Sequence, residues 1–90
     1  MPQRFVVDTS WLYALFDAAD AHHATALKQS GRPGHYVVPS EILAETLLLR
    51  HSRARQARLD PRSEARRLAR AIQEAGFAVE GSDAVADALA

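Results

Sequence analysis

The stretch Phe5-Val6-Val7-Asp8-Thr9-Ser10 constrains this chain more than any other. Three consecutive apolar residues predict a short buried strand of the kind found in a covered parallel sheet. The run halts at a carboxylate followed by two hydroxyls. From Trp11 to Ala19 the apolar residues Leu12, Leu15, Phe16 and Ala19 fall at helical spacing, so a helix is expected there. Thr9 or Ser10 is the expected cap, because either hydroxyl can accept from free N–H groups of the first turn. Asp8 then occupies the carboxyl end of a strand, which is where ligands bind in open α/β sheets. It is the first candidate site residue.

The rest of the chain repeats the alternation. A short helix is expected from His22 to Ser30, with His23, Ala26 and Leu27 on one face. Gly31-Arg32-Pro33-Gly34 is a turn. His35–Val38 reads as a second strand, stopped by Pro39, which has no N–H for a ladder. Ser40 is the expected N-cap of a third helix, Glu41 to about Arg53, with Glu41 favouring its positive end. Ile42, Leu43, Leu47, Leu48 and Leu49 cover a wide arc of that helix, which implies deep burial. Ser52–Leu59 is expected to be loop or frayed helix. Asp60-Pro61 restarts a helix, an acid cap with proline at the first helical position. That fourth helix runs to about Ala75, with Ala65, Leu68, Ala69 and Ile72 inward, and ends at Gly76. Phe77–Val79 is a third strand, and Ser82 caps a last amphipathic stretch, Asp83 to Ala90. The order β-α-α-β-α-α-β-α predicts parallel strands with right-handed connections.

Composition narrows the class. Ninety residues make one domain, 48% hydrophobic and 24% charged. There is no cysteine, so disulfides and thiolate metal sites are excluded. No apolar run is long enough to span a membrane, and the start lacks a signal-peptide core. A cytoplasmic protein is the expectation. The net charge of zero hides an asymmetry: residues 50–70 carry eight arginines against Asp60 and Glu64, between acidic flanks. Such a segment suits internal ion pairs, RNA phosphates or an acidic partner. Arg50, Arg53, Arg55 and Arg58 are its candidate contact residues.

Val7-Asp8-Thr9-Ser10, with Leu12, Ala14, Leu15, Asp20 and His23-Ala24 after it, resembles the start of a PIN domain. Val38-Pro39-Ser40 followed by Ile42-Leu43-Ala44-Glu45 is similar to the second motif of that family. Phe77-Ala78-Val79 and Ser82-Asp83-Ala84-Val85-Ala86 resemble its third strand and next helix. The nearest subgroup is the VapC-like toxin ribonucleases of toxin–antitoxin pairs, and the likeness spans essentially the whole chain. It implies a three-layer α/β/α fold with a parallel sheet ordered 3-2-1-4-5, strands four and five being missing here. It further implies an acidic cluster holding Mg2+ or Mn2+ for hydrolysis of RNA, with a cognate antitoxin as partner.

Carried over position by position, the first acid of the family matches Asp8 and its second matches Glu45. The remaining acids lie beyond Ala90, and Asp83 and Asp87 are poor substitutes. Thr9 and Ser10 are expected to orient the Asp8 carboxylate from behind. The final helix stops without a cap, so a truncated domain is expected, with little ribonuclease activity in these ninety residues. The first strand would then be open on one side, which makes a homodimer or a covering partner the expected assembly.

The chemistry agrees with the two acids as a pair, since Mg2+ takes one or two carboxylates together with waters and phosphate oxygens. Other readings of the same residues are plainer. Asp8 also suits a turn or cap. A phosphoacceptor role would need a second aspartate at position 10, which is Ser. Glu41 is better placed as a first-turn partner of the helix dipole than as a ligand. His22 and His23 point about 100° apart on a helix and cannot readily share an ion; His23 is expected beneath the first helix. Trp11 and Tyr13 suit either core anchoring or a subunit contact. A catalytically incomplete binding module is the main alternative function, and a nucleotide-binding domain is disfavoured by the lack of a glycine-rich loop.

Overall fold

A computed structural model describes residues 3–80. Its elements are β1 (Arg4–Val6), α1 (Thr9–Phe16), α2 (His23–Ser30), β2 (His35–Val38), α3 (Ser40–Gln56), α4 (Pro61–Glu74) and β3 (Ala78–Val79). The three strands form one parallel sheet in the order β1-β2-β3, with Phe5 opposite Tyr36 and Val37 opposite Ala78. The fold is α/β, as the alternation of patterns predicts. The helix expected over 83–90, with Asp83 and Asp87, lies outside the described residues.

Strand order explains where the helices go. Each crossover steps in the same direction across the sheet, and right-handed crossovers of that kind place their helices on one face. The face carrying Phe5, Val7, Tyr36, Val38 and Val79 is the covered one. Val7 and Val38 join Leu12 and Tyr13 of α1, Leu43 of α3, and Leu68 and Ile72 of α4 in a single buried core. Each such side chain contributes on the order of 2 kcal/mol through removal from water. Tyr36 is sandwiched between Phe5 and Trp11, with ring centroids 5.3 and 5.5 Å away.

The opposite face carries Arg4, Val6, His35, Val37 and Ala78, and no helix among the described residues covers it. Val6 is 69% exposed. Val37, on the central strand, is nonetheless buried, and on the same face the Arg4 guanidinium pairs with Glu80 at 2.9 Å. The outer edge of β1 is unpaired among the described residues, in agreement with an open first strand.

Several local expectations need correction. The cap of α1 is Asp8, not Thr9 or Ser10; its carboxylate accepts from the Trp11 N–H, and both hydroxyl residues are already helical. The helix ends at Phe16 rather than Ala19, because Asp17 leaves the helical region and its side chain accepts from the Ala19 N–H. Pro39, not Ser40, occupies the cap position of α3. That helix does not fray at Ser52 but runs to Gln56. Its apolar arc is narrower than expected, since Leu48 is 69% exposed.

Two turns depend on unusual backbone. Gly34 has φ +155°, and a Cβ there would sit 2.6 Å from both the Gln3 carbonyl oxygen and the Phe5 ring, so no other residue fits this entry to β2. The end of α3 is a Schellman motif: the Leu59 N–H donates to the Ala54 carbonyl and the Arg58 N–H to that of Arg55. The left-handed position of that motif is held by Arg58, at φ 61°.

Candidate metal and nuclease site

The parallel strands put their carboxyl ends along one edge of the sheet. Asp8 follows β1 there, and α3 starts immediately after β2 at the same edge. Glu45, in the second turn of α3, is thereby carried back toward Asp8. The two segments are joined by a hydrogen bond in which the Thr9 hydroxyl donates to Glu45 Oε2 at 2.7 Å. Residues 36 positions apart thus meet at the strand end.

The Asp8 carboxylate is held from one side only. The Trp11 N–H donates to Oδ1 at 2.8 Å, and the Ser10 hydroxyl donates to the same oxygen at 3.2 Å. Oδ2 is left free among the described residues. Glu45 keeps Oε1 free in the same way. Asp8 and Glu45 are both exposed, Thr9 is half-buried, and Ser10 is exposed. Glu45 is more exposed than its apolar neighbours in sequence imply, because it lies on the outer side of α3.

The expected helper residues therefore divide their work. Ser10 orients Asp8, as anticipated, whereas Thr9 turns away to orient Glu45. The dual use of Asp8 as helix cap and open carboxylate is not separable by pattern, since Asp8, Thr9 and Ser10 are all good capping residues. Glu41 is in the first turn of α3, exposed, and makes no ion pair among the described residues.

Asp8 also lines two clefts that share Trp11 and Gln29. One, of about 290 Å3, is bordered by Phe5, Arg32 and Tyr36. The other, of about 280 Å3, is bordered by Ser10, His22 and Thr25. The Trp11 indole N–H donates to Gln29 Oε1 at 3.0 Å, and both residues line both clefts. His23 does lie beneath α1, with Nδ1 2.7 Å from the Ala14 carbonyl; a carbonyl only accepts, so Nδ1 carries the proton. Tyr13 is 2% exposed and belongs to the core, while Trp11 packs against it half-buried.

The arginine segment is only partly available to outside anions. Arg50 pairs with Glu64 at 3.2 Å, and its charged form is favoured first by the Tyr13 hydroxyl and then by Glu64. Arg53 lies over the Tyr13 ring, 4.6 Å from its centroid, and reaches Asp20 at 3.5 Å. The Asp20 carboxyl is held below its ordinary range, chiefly by the His22 N–H and then by Arg53. Arg67 adds a contact to Glu64 at 3.7 Å. A cleft of about 270 Å3 between α1, α3 and α4 is lined by Asp17, Arg50, Glu64 and Arg67, whose charges cancel. Arg55 and Arg58 are exposed and make no ion pair among the described residues.

Asp8 and Glu45 each keep one carboxylate oxygen without a hydrogen bond among the described residues, the type of ligand a hard divalent cation takes together with waters or phosphate oxygens. Among the described residues no group of three or more His, Cys, Asp or Glu side chains comes together as a complete cage. No helix among them is long and apolar enough to cross a membrane. Comparison with known proteins yields no match to a family model, a curated protein or a solved structure.

Proposed function

We propose that this chain belongs to a PIN-like, metal-dependent endoribonuclease of the VapC kind, hydrolysing RNA phosphodiesters with Mg2+ or Mn2+ held by Asp8 and Glu45. The observation that carries this reading is the hydrogen bond from Thr9 to Glu45, which ties the second carboxylate to the strand end bearing the first. When bound, such a cation lowers the pKa of a coordinated water and offsets charge on the phosphodiester. The chain's own part is to hold Asp8 through Ser10 and Trp11, hold Glu45 through Thr9, and leave one oxygen of each facing outward. The three-layer arrangement, the cytoplasmic setting and a cognate antitoxin covering the acidic edge belong to the same proposal.

A second reading, a PIN-like interaction module without catalysis, is favoured by one specific observation. No group of three or more potential ligands comes together among the described residues, and two carboxylates alone orient a metal-bound nucleophile poorly. The test is cleavage of a labelled RNA with Mn2+ or Mg2+, run beside Asp8→Asn and an EDTA control. Asparagine caps a helix as well as aspartate, so this substitution removes the charge without removing the cap. We expect at most slow cleavage by these ninety residues, abolished by EDTA and by Asp8→Asn. Cleavage that persists in both controls would refute the assignment, and none at all would favour the interaction module.

A further inference from the structure

We infer that the cleft Asp8 shares with Phe5, Trp11 and Tyr36 is a subsite for one base of an RNA substrate, guanine or uracil. With a phosphodiester at Asp8, as the nuclease reading on which this rests requires, a neighbouring base lies within reach of that cleft. Its volume of about 290 Å3 is at the lower limit of small-ligand sites, so it takes one ring system rather than a longer ligand. Its wall is a row of planar groups. Trp11 stacks on Tyr36 at 5.5 Å with 5° between the planes, and Tyr36 stacks on Phe5 at 5.3 Å. The Arg32 guanidinium lies over Phe5, 5.3 Å from its centroid. All three aromatic residues are half-buried, and all line the cleft. Nucleobases pack on such surfaces through their π-faces.

The polar groups at the cleft select the base. The Val7 N–H donates to the Val37 carbonyl, and the Gln3 carbonyl accepts from the His35 N–H, so these alternate residues turn their backbone groups toward β2. Val6 lies between them in register, and its N–H and C=O face the outer edge, which no strand among the described residues pairs. Val6 lines the cleft while its side chain stands on the other face of the sheet, so its contribution there is this backbone pair. Every base carries an adjacent donor and acceptor that such a pair can meet. Gln29 and Arg32 supply the discrimination. An indole N–H only donates, so the Trp11 bond occupies Gln29 Oε1 and leaves the Nε2 amino group as a donor. Arg32 has donors only, is exposed, and makes no ion pair among the described residues. Tyr36 holds both in place, its hydroxyl 3.1 Å from the Gln29 carbonyl and 3.0 Å from that of Arg32. Two added donors suit the ring carbonyl oxygens of guanine and uracil, and they oppose the exocyclic amino groups of adenine and cytosine.

The test is an NMR titration of the isotope-labelled chain in EDTA with the monophosphates of guanosine, uridine, adenosine and cytidine. Trp11 is the single tryptophan, so its indole N–H gives one signal. Guanosine and uridine monophosphates should shift it with dissociation constants on the order of 1 mM. The adenosine and cytidine compounds should bind about fivefold or more weakly. Ribose phosphate, which has no base, should cause no shift. Arg32→Ala should weaken the two favoured ligands about fivefold or more and level the four bases. Far-UV circular dichroism checks folding, and Arg32→Gln replaces that variant if it unfolds. Thr25→Ala, in the other cleft lined by Trp11 and Gln29, should change nothing. Neither metal nor cleavage enters this readout. Binding without metal-dependent cleavage would remove the nuclease reading and leave the subsite, and cleavage without binding would remove the subsite alone. Equal affinity for all four bases, a shift with ribose phosphate, or loss through Thr25→Ala in place of Arg32→Ala would each overturn the inference.

Discussion

At the residue scale, the chain places three adjacent polar side chains in three different tasks. Asp8 caps α1 and offers an oxygen outward, Thr9 reaches to Glu45, and Ser10 steadies Asp8. The place of Asp8 at the strand end was legible, because an apolar strand that stops at an acid is a strong positional signal. The division of tasks was not, since all three residues satisfy the same capping preference. Under the proposed function Thr9 would act on a cation through Glu45, to which its hydroxyl donates, and so be a positioning residue. Thr9→Val keeps the shape but loses the hydroxyl, so Mn2+ affinity should fall several-fold, with about 1 kcal/mol or less lost in stability. Thr9→Ser should restore the affinity. Titrating Mn2+ against both variants, with urea melts beside them, separates positioning from a purely structural role.

At the element scale, the sequence reads best where a breaker is present. Asp60 and Pro61 open α4 where expected, with the Ser63 N–H and hydroxyl both donating to Asp60 and holding its carboxyl below the usual range. Gly76, at φ 83°, closes the same helix. The end of α3 was misread for the converse reason: no glycine marks it, and the arginines of residues 50–58 resemble a solvated loop. The helix instead continues, and Arg58 takes the left-handed position that glycine usually fills. A non-glycine residue there costs about 1 kcal/mol. Arg58→Gly should therefore raise stability by about that amount, read as a higher urea midpoint at unchanged slope. A lower midpoint would mean that the Arg58 side chain makes a compensating contact. The outer side of α3 was likewise hidden, because a run of leucines does not say which one faces out.

At the scale of the whole molecule, the parallel sheet and its helical crossovers follow from the alternation of patterns. What joins the two segments does not: Thr9, next to Asp8, meets Glu45 through the packing of α1 against α3 and one hydrogen bond over 36 positions, and no local spacing encodes that contact. Among the described residues, helix coverage of one face follows from strand order and the handedness of crossovers. Asp8 stands at the carboxyl end of β1, and Thr9 beside it reaches Glu45 of α3. The account turns on those two carboxylates acting together on one cation. The most direct measurement is Mn2+ binding, followed by water-proton relaxation, in the unaltered chain, Asp8→Asn, Glu45→Gln and the double variant. A joint site predicts a single weak Mn2+ equilibrium, displaced by Mg2+. Each single substitution should reduce it about tenfold or more, and the double variant should be little worse than either alone. Binding that survives both substitutions, or losses that simply add, would contradict a shared site at Asp8 and Glu45.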